Sequence, residues 1–525
     1  MILVKRTSVV VDGYEWNRAR LLESRFAVYN IVNYKEEYKG LVYDNENKLL
    51  YLPRGMDIRE IEKHIRERAV VDKFYDPYDS IGKVKIKYLP KNDVQKQAIR
   101  FILGLAEYNY TLPYSQLCIN LMTGKGKTYV TIASMAWEEC KFIVITSING
   151  WLQQWIEKVL EYTDFKKSEI LQLNTKVIDK ILNGKLNLSK YKMYTCNHKT
   201  FGEYGNKHGW DKIEDLFKLL KVKYKIFDEA HLYFDSMSMI DFHSNCYKTL
   251  YLTASPYRSD DKENMIYRTY FEFVPSIELF NKERDAKTRY VSIHFNSHPL
   301  SIQIMACMNK FGLVKPRYVE YLLTNQNFWM LIYICFNEAV LPNPGRTLLL
   351  VETNNAISVL KSWIEKEFPE YIGKIGVFYG ETKEEDRAIA KKKQIIITNR
   401  MCGGTCLDIE NLGVCFPLLV PAKSKVIAHQ LFGRVGREGT VLPNFLYLDI
   451  VDEGFRKLKE YYTNKLPVFM KYATDCSKVL YRDDKLYSMF NYYKDLRNKQ
   501  SPIIAPWDIK IPEEKVPWSI VIPPE

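Results

Sequence analysis

The sequence predicts an α/β protein of two tandem parallel-sheet domains, with a small α+β domain before them and an irregular C-terminal tail. Three observations predict it. Short apolar runs alternate with helix-favouring segments, the pattern of strands covered on both faces by crossover helices. Polar residues collect where those runs end, and the C-terminal ends of strands are where an open α/β sheet places its ligand. The breaker cluster Leu341-Pro342-Asn343-Pro344-Gly345 then divides the alternating stretch in two. The expected organisation is an accessory domain at 1–88, a first sheet domain at 89–280 and a connecting segment at 281–343. A second sheet domain at 344–465 and an extension at 466–525 complete it.

In order along the chain, Leu41-Val42-Tyr43 and Leu49-Leu50-Tyr51-Leu52 flank a polar turn and predict a hairpin. Apolar spacing over 58–70 predicts an amphipathic helix. This first block suits either a nucleic-acid-binding accessory domain or a packing cap on its neighbour. A helix opens at Lys91-Asn92-Asp93. Strands follow at Leu117-Cys118-Ile119-Asn120-Leu121, Phe142-Ile143-Val144-Ile145-Thr146, Met193-Tyr194-Thr195-Cys196, Lys225-Ile226-Phe227 and Thr249-Leu250-Tyr251-Leu252-Thr253-Ala254-Ser255. Beyond the breaker cluster, Thr347-Leu348-Leu349-Leu350-Val351 is expected to be the first strand of the second sheet. Gly376-Val377-Phe378-Tyr379-Gly380, Gln394-Ile395-Ile396-Ile397-Thr398 and Asn444-Phe445-Leu446-Tyr447-Leu448-Asp449 are expected to follow it. The tail is Tyr- and Lys-rich from 466 and Pro-rich from Pro502.

Composition narrows the class. The chain has 525 residues, 46% hydrophobic and 26% charged, which fits several folded domains rather than a disordered chain. A net charge of +13 suits a polyanionic partner, although it also serves solubility. Aromatics beside Lys and Arg favour base stacking, while core packing must claim most of the 38 Tyr. There are ten Cys but no CxxC pair, and Cys402 and Cys406 lack companions for a zinc site. Lys5, Arg6 and Asp12 interrupt any leader-like apolar core, and no run is long enough to span a bilayer. An intracellular protein with no membrane role is expected.

Three clusters carry chemistry. In Leu121-Met122-Thr123-Gly124-Lys125-Gly126-Lys127-Thr128, a strand runs through a glycine loop into a helix. Gly124 and Gly126 let backbone N–H groups wrap a polyphosphate, and the helix turns its positive end toward the anion. Lys125 lies between them, Lys127 brings a mobile charge to the outer phosphates, and the Thr128 hydroxyl suits Mg²⁺. Asp228-Glu229-Ala230-His231 places one carboxylate to hold the Mg²⁺ shell and a second to deprotonate an attacking water. In Gln430-Leu431-Phe432-Gly433-Arg434-Val435-Gly436-Arg437, two Arg three apart are expected on one helix face, suited to a developing phosphate charge.

Taken together, these residues resemble superfamily 2 DEAH-type helicases and translocases. The 121–128 loop looks like their motif I, A-x-T-G-x-G-K-T, with Leu121 at the small-residue position. Asp228 to His231 matches motif II in its DEAH spelling. Thr253-Ala254-Ser255, extended by Pro256-Tyr257-Arg258, is similar to motif III, and Gln430 to Arg437 matches motif VI. Gln95 occupies the place of the adenine-reading Gln, and Gln154-Trp155 resembles the end of motif Ia. Thr398 to Asp408 resembles motif V, with Cys406 where the family usually has Gly.

The resemblance covers about 89–449. It implies two RecA-like domains, ATP and Mg²⁺ between them, and single-stranded nucleic acid on an adjoining face. It also implies nucleotide binding by Gln95, Thr123, Gly124, Lys125, Gly126, Lys127 and Thr128, with Mg²⁺ at Thr128 and Asp228. Glu229 and Gln430 would act on the water, and Arg434 and Arg437 would be arginine fingers. His231, Thr253 and Ser255 would couple the nucleotide state. Gln154, Thr195, His198, Arg258, Asn354 and Thr398 would contact nucleic acid.

The implied activity is an ATP-dependent DNA helicase or translocase, most like compact phage or viral enzymes that remodel branched DNA. It would act as a monomer on single-stranded, forked or branched DNA. An RNA helicase or transcript-release factor remains open, as does an ATP-switched binding protein that unwinds nothing.

Overall fold

In the computed structural model the chain divides into two compact units, Met1–Leu279 and Phe280–Glu525. The structure describes residues 1–13, 27–29, 36–72, 78–105, 116–121, 124–231, 234–253, 261–280, 286–310, 312–400, 402, 409–421, 424–436 and 442–488.

The first unit is built on a seven-stranded parallel sheet. Its spatial order is Ile170–Gln172, Met193–Asn197, Phe142–Thr146, Tyr224–Asp228, Lys248–Thr253, Gln116–Asn120 and Ser276–Glu278. Successive side chains of a strand point to opposite faces, so each strand feeds two cores. Ile143, Ile145, Phe227 and Tyr251 enter one, with the helices His198–His208, Asp211–Leu220 and Phe234–Phe242. Val144, Ile226, Leu250 and Leu252 enter the other, with the helices Asp93–Leu103, Lys127–Trp137 and Asn149–Tyr162. Parallel pairing aligns the strand ends: Thr253 pairs with Asn120, Asp228 with Leu252, and Asn197 with Thr146. The polar residues scattered along the sequence therefore meet at one edge.

The first block is a five-stranded sheet ordered Val42–Asp44, Leu49–Pro53, Ser8–Asp12, Ile2–Val4 and Ala69–Val71. The predicted hairpin forms its first two members. The block packs on both faces. Val9, Val11, Leu50 and Leu52 close over Ile61 and Ile65 of the helix Ile58–Ile65. Val10 and Tyr51 join the core of the large sheet with Phe242 and Tyr270. A Cβ on Gly55 would lie 2.5 Å from the Val274 side chain, so the two layers are in close contact there. Of the two roles left open for this block, that of a packing layer is built into the first unit. The helix expected over 58–70 stops at Ile65, where Arg66 turns left-handed at φ 62°. The β-branched Val70 and Val71 then pair parallel with Leu3 and Val4. A tertiary strand partner overrides the helical spacing.

The second unit carries an eight-stranded sheet. Its order is Ile375–Phe378, Ile395–Asn399, Arg346–Val351, Leu412–Leu419, Phe445–Asp452, Thr288–Phe295, Cys476–Arg482 and Lys485–Ser488. All neighbours are parallel except the last pair. Three expectations change. The first strand of this sheet in chain order is Thr288–Phe295, within the segment expected as a connection, and not the stretch starting at Thr347. Leu412–Leu419, fully buried, is a strand that the sequence reading passed over. The tail is regular as far as described: the helix Arg456–Tyr472 crosses the expected 465/466 boundary, and Cys476–Arg482 adds beside Thr288–Phe295. Residues 489–525, with the Pro-rich end, lie outside the described residues. Among the described residues no helix is long and apolar enough to cross a membrane.

Candidate functional site

The strand Gln116–Asn120 runs through the buried Leu121 toward the glycine loop. Gly124 and Gly126 stand at φ 86° and 89°, a region open to Gly and costly for residues with a Cβ. Gly126 precedes the helix Lys127–Trp137, which has no side-chain cap and no acidic residue in its first turn. Its leading N–H groups are thus not capped by a side chain, a common arrangement where an anion binds. Behind the loop sits Gln95, buried, with its N–H bonded to Asn92 Oδ1 at 2.9 Å and its Oε1 accepting from Lys91 N–H at 2.9 Å. A Cβ on Gly126 would meet Gln95 Nε2 at 2.5 Å. Gln95 therefore braces the glycine loop. Thr123 lies outside the described residues.

The tandem carboxylates meet this loop. Asp228 ends its strand, and Glu229 follows in the left-handed region at φ 50°. Lys127 Nζ donates to Glu229 Oε1 at 3.0 Å. The Asp228 carboxylate is held at both oxygens: Oδ1 accepts from Glu229 N–H at 3.1 Å and Oδ2 from the Trp155 indole at 2.8 Å. Burial, then the adjacent Glu229 charge, raises Asp228 above the usual carboxylate range, against the opposing pull of Lys127 and Trp155. His231 Nδ1 lies 2.8 Å from Thr253 Oγ1 and 3.4 Å from Glu229 Oε2, with both His231 and Thr253 fully buried. The expected coupling pair is therefore in hydrogen-bond contact, and Ser255 and Arg258 lie outside the described residues.

The residues fit a magnesium nucleotide. A cradle that a Cβ would fill, a helix start without a side-chain cap and hard oxygen donors on Thr128 and Asp228 are what a polyphosphate and Mg²⁺ require. Trp155 stands in the sequence beside Gln154, but its hydrogen bond to Asp228 is the contact that sequence reading missed. Its signal was present: Trp151 and Trp155 fall one turn apart on the buried face of a helix that starts just after the strand Phe142–Thr146.

The nucleic-acid candidates divide. Gln154 and Asn354 are exposed, and Asn354 Oδ1 accepts from Asn399 Nδ2 at 3.0 Å. Thr195 and Thr398, in strands of the first and second units, are fully buried, and His198, which opens the helix His198–His208, is 4% exposed, so these three do not present a contact surface. His198 packs edge-on to Phe227 at 5.7 Å, and desolvation lowers its pKa to about 4, so the ring is neutral and offers no cation to a phosphate.

In the second unit Gln430 and Arg434 are buried. The helix Lys425–Phe432 ends before Arg434, which falls in the following turn, so the expected shared helix face does not form. Thr288 Oγ1 pins that turn by donating to Val435 O at 3.1 Å. Arg437 lies outside the described residues.

Fold and site together define an α/β protein of parallel-sheet units with a glycine loop of the phosphate-binding kind. Residues 89–258 match the family model described as Type III restriction enzyme, res subunit. Among curated proteins none matches the sequence. Solved structures similar to it include T4 UvsW, at 14% identity over 91% of this chain and 99% of that one, with a TM-score of 0.35. S. cerevisiae Dbp5 bound to RNA and ADP BeF3 is similar at 14% identity over 74% and 89%, TM-score 0.45. A fragment described as an HsdR subunit of a type I restriction enzyme from Vibrio vulnificus YJ016 is similar at 14% over 76% and 70%, TM-score 0.48.

Proposed function

We propose that this chain is an ATP-driven DNA helicase or translocase that unwinds or branch-migrates forked or junction DNA in replication, recombination or repair. The observation that carries the reading is the 3.0 Å convergence of Lys127, from the glycine loop, on Glu229, from the tandem carboxylates. That pairing joins a phosphate-binding group to a candidate base. The match of residues 89–258 to the Type III restriction enzyme res subunit model supports ATP use.

In this reading the loop amides and Lys127 hold the phosphates, and Thr128 and Asp228 hold Mg²⁺. Magnesium, when bound, supplies charge neutralisation at the phosphate oxygens. Glu229 accepts the proton of the attacking water, and its contact with His231 carries the change to Thr253. Gln430, Arg434 and Arg437 are proposed, on the motif alone, to act on the water and the transferred phosphate. Gln154, Arg258 and Asn354 are the proposed strand contacts, made to backbone phosphates and therefore blind to sequence. The restriction-enzyme name of the matched family model supports DNA over RNA.

The test is ATP turnover by the full chain with single-stranded DNA, forked DNA and RNA in parallel, with strand separation measured on the fork. Turnover stimulated most by forked DNA is expected. Stimulation by RNA alone would reassign the substrate, and turnover indifferent to all three would point to an ATP-switched binder.

A further inference from the structure

Asp228 is held by two donors of different kinds. The Glu229 N–H comes from the next peptide and is present whatever the side chains do. The Trp155 indole comes from 73 residues away, on the helix Asn149–Tyr162, and reaches Oδ2 at 2.8 Å. Trp155 is 2% exposed and has a single N–H, so its ring is locked by packing and its donor has one direction. A carboxylate held at one oxygen alone can rotate about its last bond. Held at both, it keeps one orientation, and outer-shell donors of this kind orient metal ligands.

We propose that Trp155 is a positioning residue that fixes the Asp228 carboxylate in the orientation that takes the divalent cation of the bound nucleotide. The proposal rests on the nucleotide site described above. Trp155 itself touches neither nucleotide nor cation; it acts through Asp228. A bulky, rotationally fixed donor suits this position, because the indole fills the core between helix and sheet while its one polar atom meets the part-buried Asp228 carboxylate.

The experiment measures binding of a fluorescent ADP analogue to the full chain as Mg²⁺ is raised. Wild type is expected to show a Mg²⁺-dependent gain in affinity. If it binds no nucleotide with or without Mg²⁺, the nucleotide site fails, and this proposal with it. Trp155→Phe keeps an aromatic ring and loses the N–H. Its Mg²⁺ midpoint is expected to rise by about 10–100-fold, the usual cost of losing an outer-shell partner. Its nucleotide affinity without Mg²⁺ is expected to stay within about twofold of wild type, a split that a general packing defect would not produce. Val159→Ala, one turn further along the same helix and also buried, tests packing alone and is expected to leave the midpoint in place. A wild-type midpoint in Trp155→Phe, or an equal rise in Val159→Ala, would overturn the proposal. Wild type provides a check that does not depend on the variant folding. With its nine Trp labelled at the indole nitrogen, at least one N–H signal should move as Mg²⁺ is added to the ADP-bound chain. A spectrum in which none moves would overturn it as well.

Discussion

Glu229 adopts a backbone conformation that a residue with a Cβ enters at a cost of about 1–2 kcal/mol. The same turn puts its carboxylate on Lys127 and beside His231, so the strain is spent at the site. Glu229→Gln is expected to keep Mg²⁺-dependent nucleotide binding and to cut turnover by about 10²–10⁴-fold, since it keeps the shape and removes the base. Single-turnover hydrolysis beside a binding titration checks this, and unchanged turnover would remove Glu229 from that role. His198 yields a pH dependence. Its folded pKa lies near 4 and its unfolded value near ~6.5, so the unfolded chain takes up a proton that the folded chain refuses. The folded state has its full advantage above pH ~6.5 and loses it as pH falls toward 4, by at most about 3 kcal/mol. Urea unfolding at pH 7 and at pH 4.5, for wild type and His198→Gln, should show that the variant loses less stability over this interval. The sequence marks His198 by its place after a strand; it carries no sign of burial, which depends on Phe227 arriving from another strand.

At the scale of elements, the site is an arrangement of strand ends. Each strand that ends at the site is an apolar run followed by a polar residue, a pattern visible in one dimension. The glycine loop is also legible, because only Gly takes its φ values without strain. Gly126→Ala is expected to weaken ADP binding about tenfold or more, from left-handed strain of about 1–2 kcal/mol plus the contact with Gln95 Nε2. A titration with ADP checks it, and an unchanged affinity would show that the loop does not need this conformation. Other elements were not legible for a stated reason. The segment at 58–70 has helical spacing to its end, yet Val70 and Val71 are claimed by Leu3 and Val4. Leu412–Leu419 is apolar at every position and shows no period to read. Arg434 sits past its helix because Gly433 ends it, which the motif spacing does not reveal.

At the scale of the molecule, the first block is a layer of the first unit. Tyr51 crosses from it to lie 4.6 Å from the His243 ring and 6.4 Å from Phe242. Tyr51→Ala is expected to cost the first unit about 3–5 kcal/mol, as for other large buried aromatics, and thermal unfolding of the full chain reports it. A loss under about 1 kcal/mol would mean that the block is an independent appendage. The sequence by itself determined the chemistry and its order along the chain: the glycine loop, the paired carboxylates, and the alternation of strand and helix that makes parallel sheets. These depend on residue type and near neighbours, and the sequence holds both. Only the tertiary structure decided that the first block is packed into the large sheet's core, that Thr288–Phe295 and Cys476–Arg482 belong to the second sheet, and that Trp155 holds Asp228. Each joins residues far apart in the chain, through pairing and burial that no local pattern encodes.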